Sequence, residues 1–437
     1  MNRKSLYLMG VAVAALMAGA PQAFAQVAVD QSAANNNSLT NSGTVTTNAG
    51  NLGIGASLGV SVSGAVASTS VSGVDQAFNA PTFGAATQAV TNGTFSTGQI
   101  VSNTGTLTIG AGNAGAGSSA QIGASGAAGS ISIVGIGGAN NTAFGANTVG
   151  NITQGTALNK ITNYTDVTNS GSIGASGLAL LGSGASASIS STGAMASVSN
   201  TAIDATSFGG ATIGTIGQNV LSAAAIGNTS TGLTVGALSG AGTSATVSAT
   251  GAGSTVSVAS LNSAGVTGST IDNVNQSSTN QLGVTNTGGT LTSGTISGAG
   301  AGVSIGATGG SSSVSLASNS SNAAVNSIGT VTQYGGSSAA VTNTGTIASG
   351  PLTGTGSSAN ISATGSAASF SASSIGDTTV GGIPTIAAGG ITQTSSTNAA
   401  VQNTGGITLT AGNLGTGASA AVSAMGAGSF ASFRAVK

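Results

Sequence analysis

The chain has 437 residues, of which 75 are glycine and only 4 proline; it has no cysteine and no histidine, five Lys or Arg against six acidic residues, and 39% hydrophobic residues. So few cations exclude a nucleic-acid-binding surface, because phosphate contacts need many Lys or Arg on one face. The absence of cysteine and histidine removes Cys-His and Ser-His-Asp catalysis as well as the usual soft metal ligands.

The first 25 residues read as an address. Arg3 and Lys4 precede an apolar run from Leu6 to Met17, and Ala23-Phe24-Ala25 supplies the small-residue exit of a secretory signal peptide, with cleavage expected before Gln26. The run is too short for a membrane span, which needs about 20 apolar residues. The mature chain, 26–437, then carries three cations against six aspartates. A polybasic membrane contact is excluded, and no membrane span is expected after cleavage.

From Gln26 onward one triplet keeps returning: Asn41-Ser-Gly, Asn103-Thr-Gly, Asn169-Ser-Gly, Asn286-Thr-Gly, Asn343-Thr-Gly and Asn403-Thr-Gly, with a blurred copy at Asn228. Successive asparagines lie 62, 66, 59, 58, 57 and 60 residues apart. Periods in this range mark repeat architectures, so the chain is one unit of about 60 residues written seven times. Each unit also holds alternating small-polar and apolar residues, as in Ser57–Ser63, Ser186–Ser191 and Ser254–Val258. Period two is the mark of strands with one face in and one out. The fold class expected is all-β, a parallel β-solenoid (β-helix) of seven imperfect repeats.

Two further stations recur. Gly64, Gly126, Gly193, Gly251, Gly309, Gly365 and Gly426 follow their asparagines by 22 to 24 places, as expected for a corner needing positive φ or close backbone stacking. Gln31, Gln218, Gln276, Gln333 and Gln393 precede theirs by ten. In the third copy the gap from Gln154 to Asn169 is 15, which suggests an insertion near Asn159 to Tyr164. In the second copy position 93 is glycine, so that copy has lost the marker or is misaligned. If one whole unit made one layer, these amides would stack as Asn and Gln ladders at about 4.8 Å. Short strands separated by glycines favour instead three coils per unit, about 20 coils in all and a rod about 100 Å long.

Longer pieces, Val74 to Thr97, Gly135 to Thr165, Ala202 to Gly227 and Gly376 to Gly390, read as irregular and hold most of the bulky side chains. The last copy departs from the others in carrying Phe430, Phe433, Arg434 and Lys437, which fits a terminal cap or a docking site. Chemistry is sparse: Asp75, Asp204, Asp272 and Asp377 fall just after alternating strands, but no histidine accompanies them, and no enzymatic activity, metal or cofactor is expected. Gly-x-Gly pieces such as Gly115-Ala-Gly117 lack the context of a phosphate loop and read as corners.

The Asn-Ser/Thr-Gly turns followed by Ser/Ala/Gly-Val strands resemble the strand-repeat passenger regions of bacterial filamentous adhesins and autotransporters, over 26–437 but without a translocating barrel. The Gln and Asn markers are similar to the much shorter repeats of curli amyloid. A barrel-free secreted repeat protein of this kind also resembles the attachment proteins that fasten holdfast polysaccharide to the envelope of stalked aquatic bacteria. These resemblances imply a non-enzymatic cell-surface structural or adhesive protein whose partners are an envelope anchoring protein, extracellular polysaccharide or copies of itself. The alternatives are a self-assembling fibre subunit and a polysaccharide-binding or polysaccharide-degrading β-helix.

Overall fold

In the computed structural model, residues 27–436 are described except 32–33, 49–50, 75–81, 89–95, 104–106, 111, 138–147, 159, 172, 176–177, 205–207, 210, 229–232, 251, 262–265, 268–269, 288–289, 320–326, 365, 376–386, 411–415 and 426. The expected signal peptide, 1–25, Asp75, Asp377 and Lys437 therefore lie outside the described residues, as do Gly251, Gly365 and Gly426.

The described chain is all-β and its strands pair in parallel, each copy lying on the next. Three sheets run through all seven copies. An amide sheet carries Ala34–Asn41, Ser96–Asn103, Ile161–Asn169, Ile216–Asn228, Thr270–Asn286, Ser327–Asn343 and Ala387–Asn403. A short sheet follows each of these strands, from Val45–Asn48 in the first copy to Ile407–Leu409 in the last. A serine-rich sheet completes the layer, beginning with Ser57–Val74, Ser119–Gly137 and Ser186–Asp204 and continuing as paired shorter strands from Ser244–Thr250 and Gly253–Leu261 to Ser419–Met425 and Gly428–Val436.

The register overturns the three-coil arrangement. Val60 pairs with Ile122, Ile122 with Ile189, and the same column continues through Val247, Ile305, Ile361 and Val422. Each step crosses one whole repeat, so a layer is one unit and seven layers stack to about 34 Å. The physical reason lies in strand length. Gly64, Gly126 and Gly193 sit inside strands of 18 or 19 residues rather than ending them, so a face is several times longer than the 4 to 6 residues that three short coils require.

The left-handed corner sits elsewhere in the unit. Gly55, Gly117, Gly184, Gly242, Gly300, Gly356 and Gly417 have φ between 63° and 72°. Each is the second glycine of a Gly-x-Gly held at the same station in every copy, and the first glycine serves a different need. A Cβ on Gly240 would lie 2.5 Å from the carbonyl of Gly182 and 2.6 Å from that of Leu181, and Gly298 and Gly354 likewise meet the backbone one layer below. At Gly309 the marker falls beside the site of close approach: a Cβ on neighbouring Gly310 would run into the carbonyl of Ala252. We expect Gly240→Ala to lower the thermal midpoint more than Gly242→Ala. The first forces backbone layers apart, whereas the second costs only the left-handed strain of about 1–2 kcal/mol.

The two wide sheets face each other across a thin interior with three apolar clusters. One, around Ile173, Leu233 and Ile305, lies beside the short sheet; a second holds Ile152, Ile216 and Val274; the third holds Ile131, Val220, Val256 and Phe370. The pieces read as irregular contribute to these clusters. Ile152–Gln154 and Ile216–Asn228 are amide-sheet strands, with Ile152 and Ile216 fully buried. Small aliphatic side chains suffice because stacking identical columns buries each on its neighbours above and below.

One column breaks this rule. Val71, Ile133, Asn200, Val258, Leu316, Ala372 and Phe433 stand in register, and Asn200 is buried with neither amide atom hydrogen-bonded. Asn200→Val is expected to raise the denaturation midpoint. It removes a buried unsatisfied amide, worth about 1–3 kcal/mol, and restores the apolar column.

Candidate functional site

The seven marker asparagines form one continuous column, paired in order from Asn41 through Asn103, Asn169, Asn228, Asn286 and Asn343 to Asn403. Asn169, Asn286 and Asn343 are fully buried. Asn286 Nδ2 donates to Asn343 Oδ1 at 2.6 Å, and Asn343 Nδ2 to Asn403 Oδ1 at 2.6 Å. Asn343 and Asn403 also donate to the carbonyls of Gly345 and Gly405, two residues on, at 3.1 Å each. The triplet therefore closes a turn and joins layers with the same amide.

A second ladder runs through all seven layers. Gln88 donates to Gln31, Gln154 to Gln88, Gln218 to Gln154, Gln276 to Gln218, Gln333 to Gln276 and Gln393 to Gln333, at 2.7 to 3.0 Å. Gln88, not position 93, is the second copy's member. The second copy carries the same 15-residue gap to its asparagine as the third. The insertion in the third copy is 155–160, standing where the fourth copy has only Asn219. Tyr164, placed in that insertion by the sequence, belongs to the strand after it.

Five of these glutamines also tie the two wide sheets together at short distance. Nε2 of Gln31, Gln88, Gln154, Gln218 and Gln276 donates across the interior to the carbonyls of Ser72, Val134, Thr201, Ala259 and Ala317, at 2.8 to 2.9 Å. One residue past each of these carbonyls the serine-rich sheet skips a pairing, between Thr201 and Ile203 for example, which leaves carbonyls to be met by side chains.

A third polar column was missed in the sequence because its members vary: Asn35, Thr97, Asn163, Ser222, Asn280, Ser337 and Thr397. Asn163 Nδ2 donates at 2.8 Å to the carbonyls of Gly129 and Ser197, which belong to successive layers of the facing sheet. Asn280 does the same with Ser254 and Ser313, at 2.7 and 2.8 Å. In the layers between, a serine takes its place, with Ser222 Oγ 2.9 Å from Ser254 Oγ and Ser337 Oγ 2.9 Å from Ser312 Oγ. The signal available was that every member falls six places before its marker asparagine, always as Asn, Ser or Thr.

Titratable groups are few on the described surface. Asp166 lies on the outer face of the amide sheet and accepts a 2.8 Å hydrogen bond from Thr168 Oγ1. Burial raises its carboxyl above the ordinary range, although hydrogen bonds from Thr168 and Tyr164 pull the other way. Burial, then the Asp166 charge, raises the Tyr164 hydroxyl. A raised carboxyl pKa means that the folded state holds the proton more tightly, so this group's contribution is full below the unfolded carboxyl range and is lost as pH rises through the folded pKa. Asp166→Asn is expected to flatten that acid-side fall in urea midpoint. Among the described residues no three His, Cys, Asp or Glu side chains gather closely enough to hold a metal ion, and no helix is long and apolar enough to cross a membrane.

At the C-terminal end Phe433 packs at a tilt against Phe370, ring centroids 5.6 Å apart, while Phe430 pairs in register with Ser369 and is largely exposed. Arg434 lies in the same strand, paired with Ser373. No family profile matches the chain, and no curated protein or solved structure shows significant similarity to it.

Proposed function

We propose that this chain is a non-enzymatic structural or adhesive element of an exported cell surface, holding extracellular polysaccharide or holdfast material to the envelope. The observation that supports it is where the polar chemistry goes. Three interior polar columns, two of them Gln and Asn ladders, serve to bind one layer to the next and one sheet to the other. The result is a stiff, nearly uncharged body with broad faces, suited to bearing load rather than turning over substrate. Immunolabelling and protease shaving of intact cells should find the chain outside, and its deletion should release surface polysaccharide or attachment while polysaccharide synthesis continues. A chain confined inside the cell, or attachment unchanged on deletion, would overturn the proposal.

One feature favours a polysaccharide-binding element within that reading. On the outer face of the amide sheet the third copy's insertion leans over the next layer, and a cavity of about 260 Å³ opens between Gly155–Ala157 and Tyr334. Its floor carries Asn219, Asn275, Ser277 and Thr332, none of them charged, and the Tyr334 ring is half exposed. Neutral hydrogen-bonding groups beside an open aromatic face suit an uncharged sugar chain. Retardation of the protein in gels cast with neutral polysaccharide, lost in Tyr334→Ala, is the expected result; equal mobility with and without polysaccharide would remove this element.

A further inference from the structure

At each end of the stack some interior columns are left uncovered, although Leu52, Val60 and Val62 of the first layer are buried. In the first layer Leu39 and Val45, whose counterparts Val101, Ile173 and Leu233 are buried, are 37% and 42% exposed. In the last layer Val422 is 52% and Phe433 46% exposed, although Ile361 and Ala372 directly below them are buried. Apolar columns left open in this way, beside sheet edges with unmade backbone bonds, are what terminal capping repeats cover in other solenoids.

The two ends fit each other. Every column that leaves the top is the column that enters at the bottom, so Gln393 would meet Gln31, Val401 would meet Leu39, Asn403 would meet Asn41 and Ile407 would meet Val45. The spacing also agrees: Gln31 and Asn41 are ten residues apart, as are Gln393 and Asn403, whereas the second and third layers need 15. Direction agrees too. Glutamine amides donate toward the first layer and asparagine amides toward the last, so a chain seated on top would give Gln31 to the Gln393 carbonyl oxygen and take Asn403 on its Asn41 oxygen. Both ladders continue without reversing an amide. Each buried asparagine of the third column is flanked by hydroxyl residues, and Thr397 against Asn35 keeps that pattern.

We propose that the last layer is a docking surface for the first layer of a second copy, so that the protein stacks head to tail into filaments one solenoid wide, with the three sheets continuous across the junction. The partner is identified by column matching alone. Surface display does not depend on it, so a monomeric surface protein would leave the proposed function standing and sink this inference.

The test uses the processed chain, its N-terminus checked by mass spectrometry, in sedimentation and negative-stain microscopy over a range of concentrations. Filaments with an axial repeat of about 34 Å per subunit are expected. Leu39→Asp and Val401→Lys each place an unpaired charge in the junction and should raise the concentration needed for assembly at least tenfold, with circular dichroism unchanged. Mixing the two variants should restore filaments, because every junction is then either the natural pair or Lys against Asp. If either variant loses its β spectrum, Asn35→Asp and Thr397→Lys provide the same pair in the neighbouring column. A wild-type chain that stays monomeric to its solubility limit, single variants that assemble as wild type, or a mixture that stays dispersed would each overturn the proposal.

Discussion

Gln218→Leu is expected to destabilise the protein by at least about 4 kcal/mol and to split its unfolding into two steps. Four contacts of the Gln218 amide lie within 3.0 Å: it donates to Gln154 Oε1 at 2.8 Å and to the Ala259 carbonyl at 2.9 Å, and it accepts from Gln276 at 3.0 Å and from Ser260 Oγ at 2.9 Å; a fifth reaches the Asn200 carbonyl at 3.3 Å. Leucine fills similar volume but leaves these four close groups without that partner, at about 1–3 kcal/mol each, where native proteins typically hold only about 5–15 kcal/mol in total. The position decides how the loss shows. Gln218 is in the fourth of seven layers, and in a stack whose stability is a sum of neighbour terms a weakened middle contact uncouples the layers on either side. Gln393→Leu, at the open end, gives up its bonds to Gln333 and Ala372 in a part-exposed setting, where water replaces them. A denaturation curve with a second transition for Gln218→Leu, and a small shift without one for Gln393→Leu, is the result to look for. Equal shifts would mean that the ladder carries little energy and serves only to set register.

That distinction matters because a buried polar seam is a poor source of net stability compared with apolar packing, yet a good device for fixing alignment. Period-two strands rich in Ser, Ala and Gly slide easily, since many registers bury similar residues. A glutamine that must meet a glutamine, and an asparagine that must meet an asparagine, admit only one alignment. The two ladders flank the varied Asn/Ser/Thr column, and together they pin each long strand at three points.

Much of this was legible in the chain because stacking copies the same side chain into the same place. The asparagine spacing gave the repeat and the Val/Ile alternation gave the strands, and both follow directly from layers in register. The number of coils per repeat was not legible. A glycine inside a long strand and a glycine at a corner look alike in sequence, and Gly64 keeps as regular a spacing as Gly55. At the Gly55 station φ is positive, and from the second layer on the glycine two places before it, as at Gly115, Gly182 and Gly240, lies against the neighbouring backbone. Gln88 was hidden for a related reason: an insertion between it and Asn103 moved it from the expected distance, and only pairing across layers restores the alignment. The Asn35 column escaped because function at that station is carried by hydrogen-bonding capacity, which Asn, Ser and Thr share, and not by one residue type.

The second large effect lies where one layer departs from the common pattern of sizes. Among the described residues Phe370 is the largest fully buried side chain, in a column otherwise made of Thr69, Ile131, Val198, Val256 and Val314, with Ala431 above it. The facing sheet makes room. Position 335 is glycine where the layers below carry Val220 and Ser278, and a Cβ there would fall on the Phe370 ring. Gly335→Ala should therefore cost about 1–3 kcal/mol through overpacking, and Phe370→Val about 2–4 kcal/mol through the cavity left between Gly335 and Ala431. Combined, the two changes compensate: the added methyl enters space that the ring vacates, and the column returns to valine. The double variant should be more stable than the sum of the single effects by at least about 1 kcal/mol, read from urea midpoints in a double-mutant cycle. Strict additivity would mean that the ring and the glycine do not share one space. It would remove the size-matching explanation for a phenylalanine fully buried in this column.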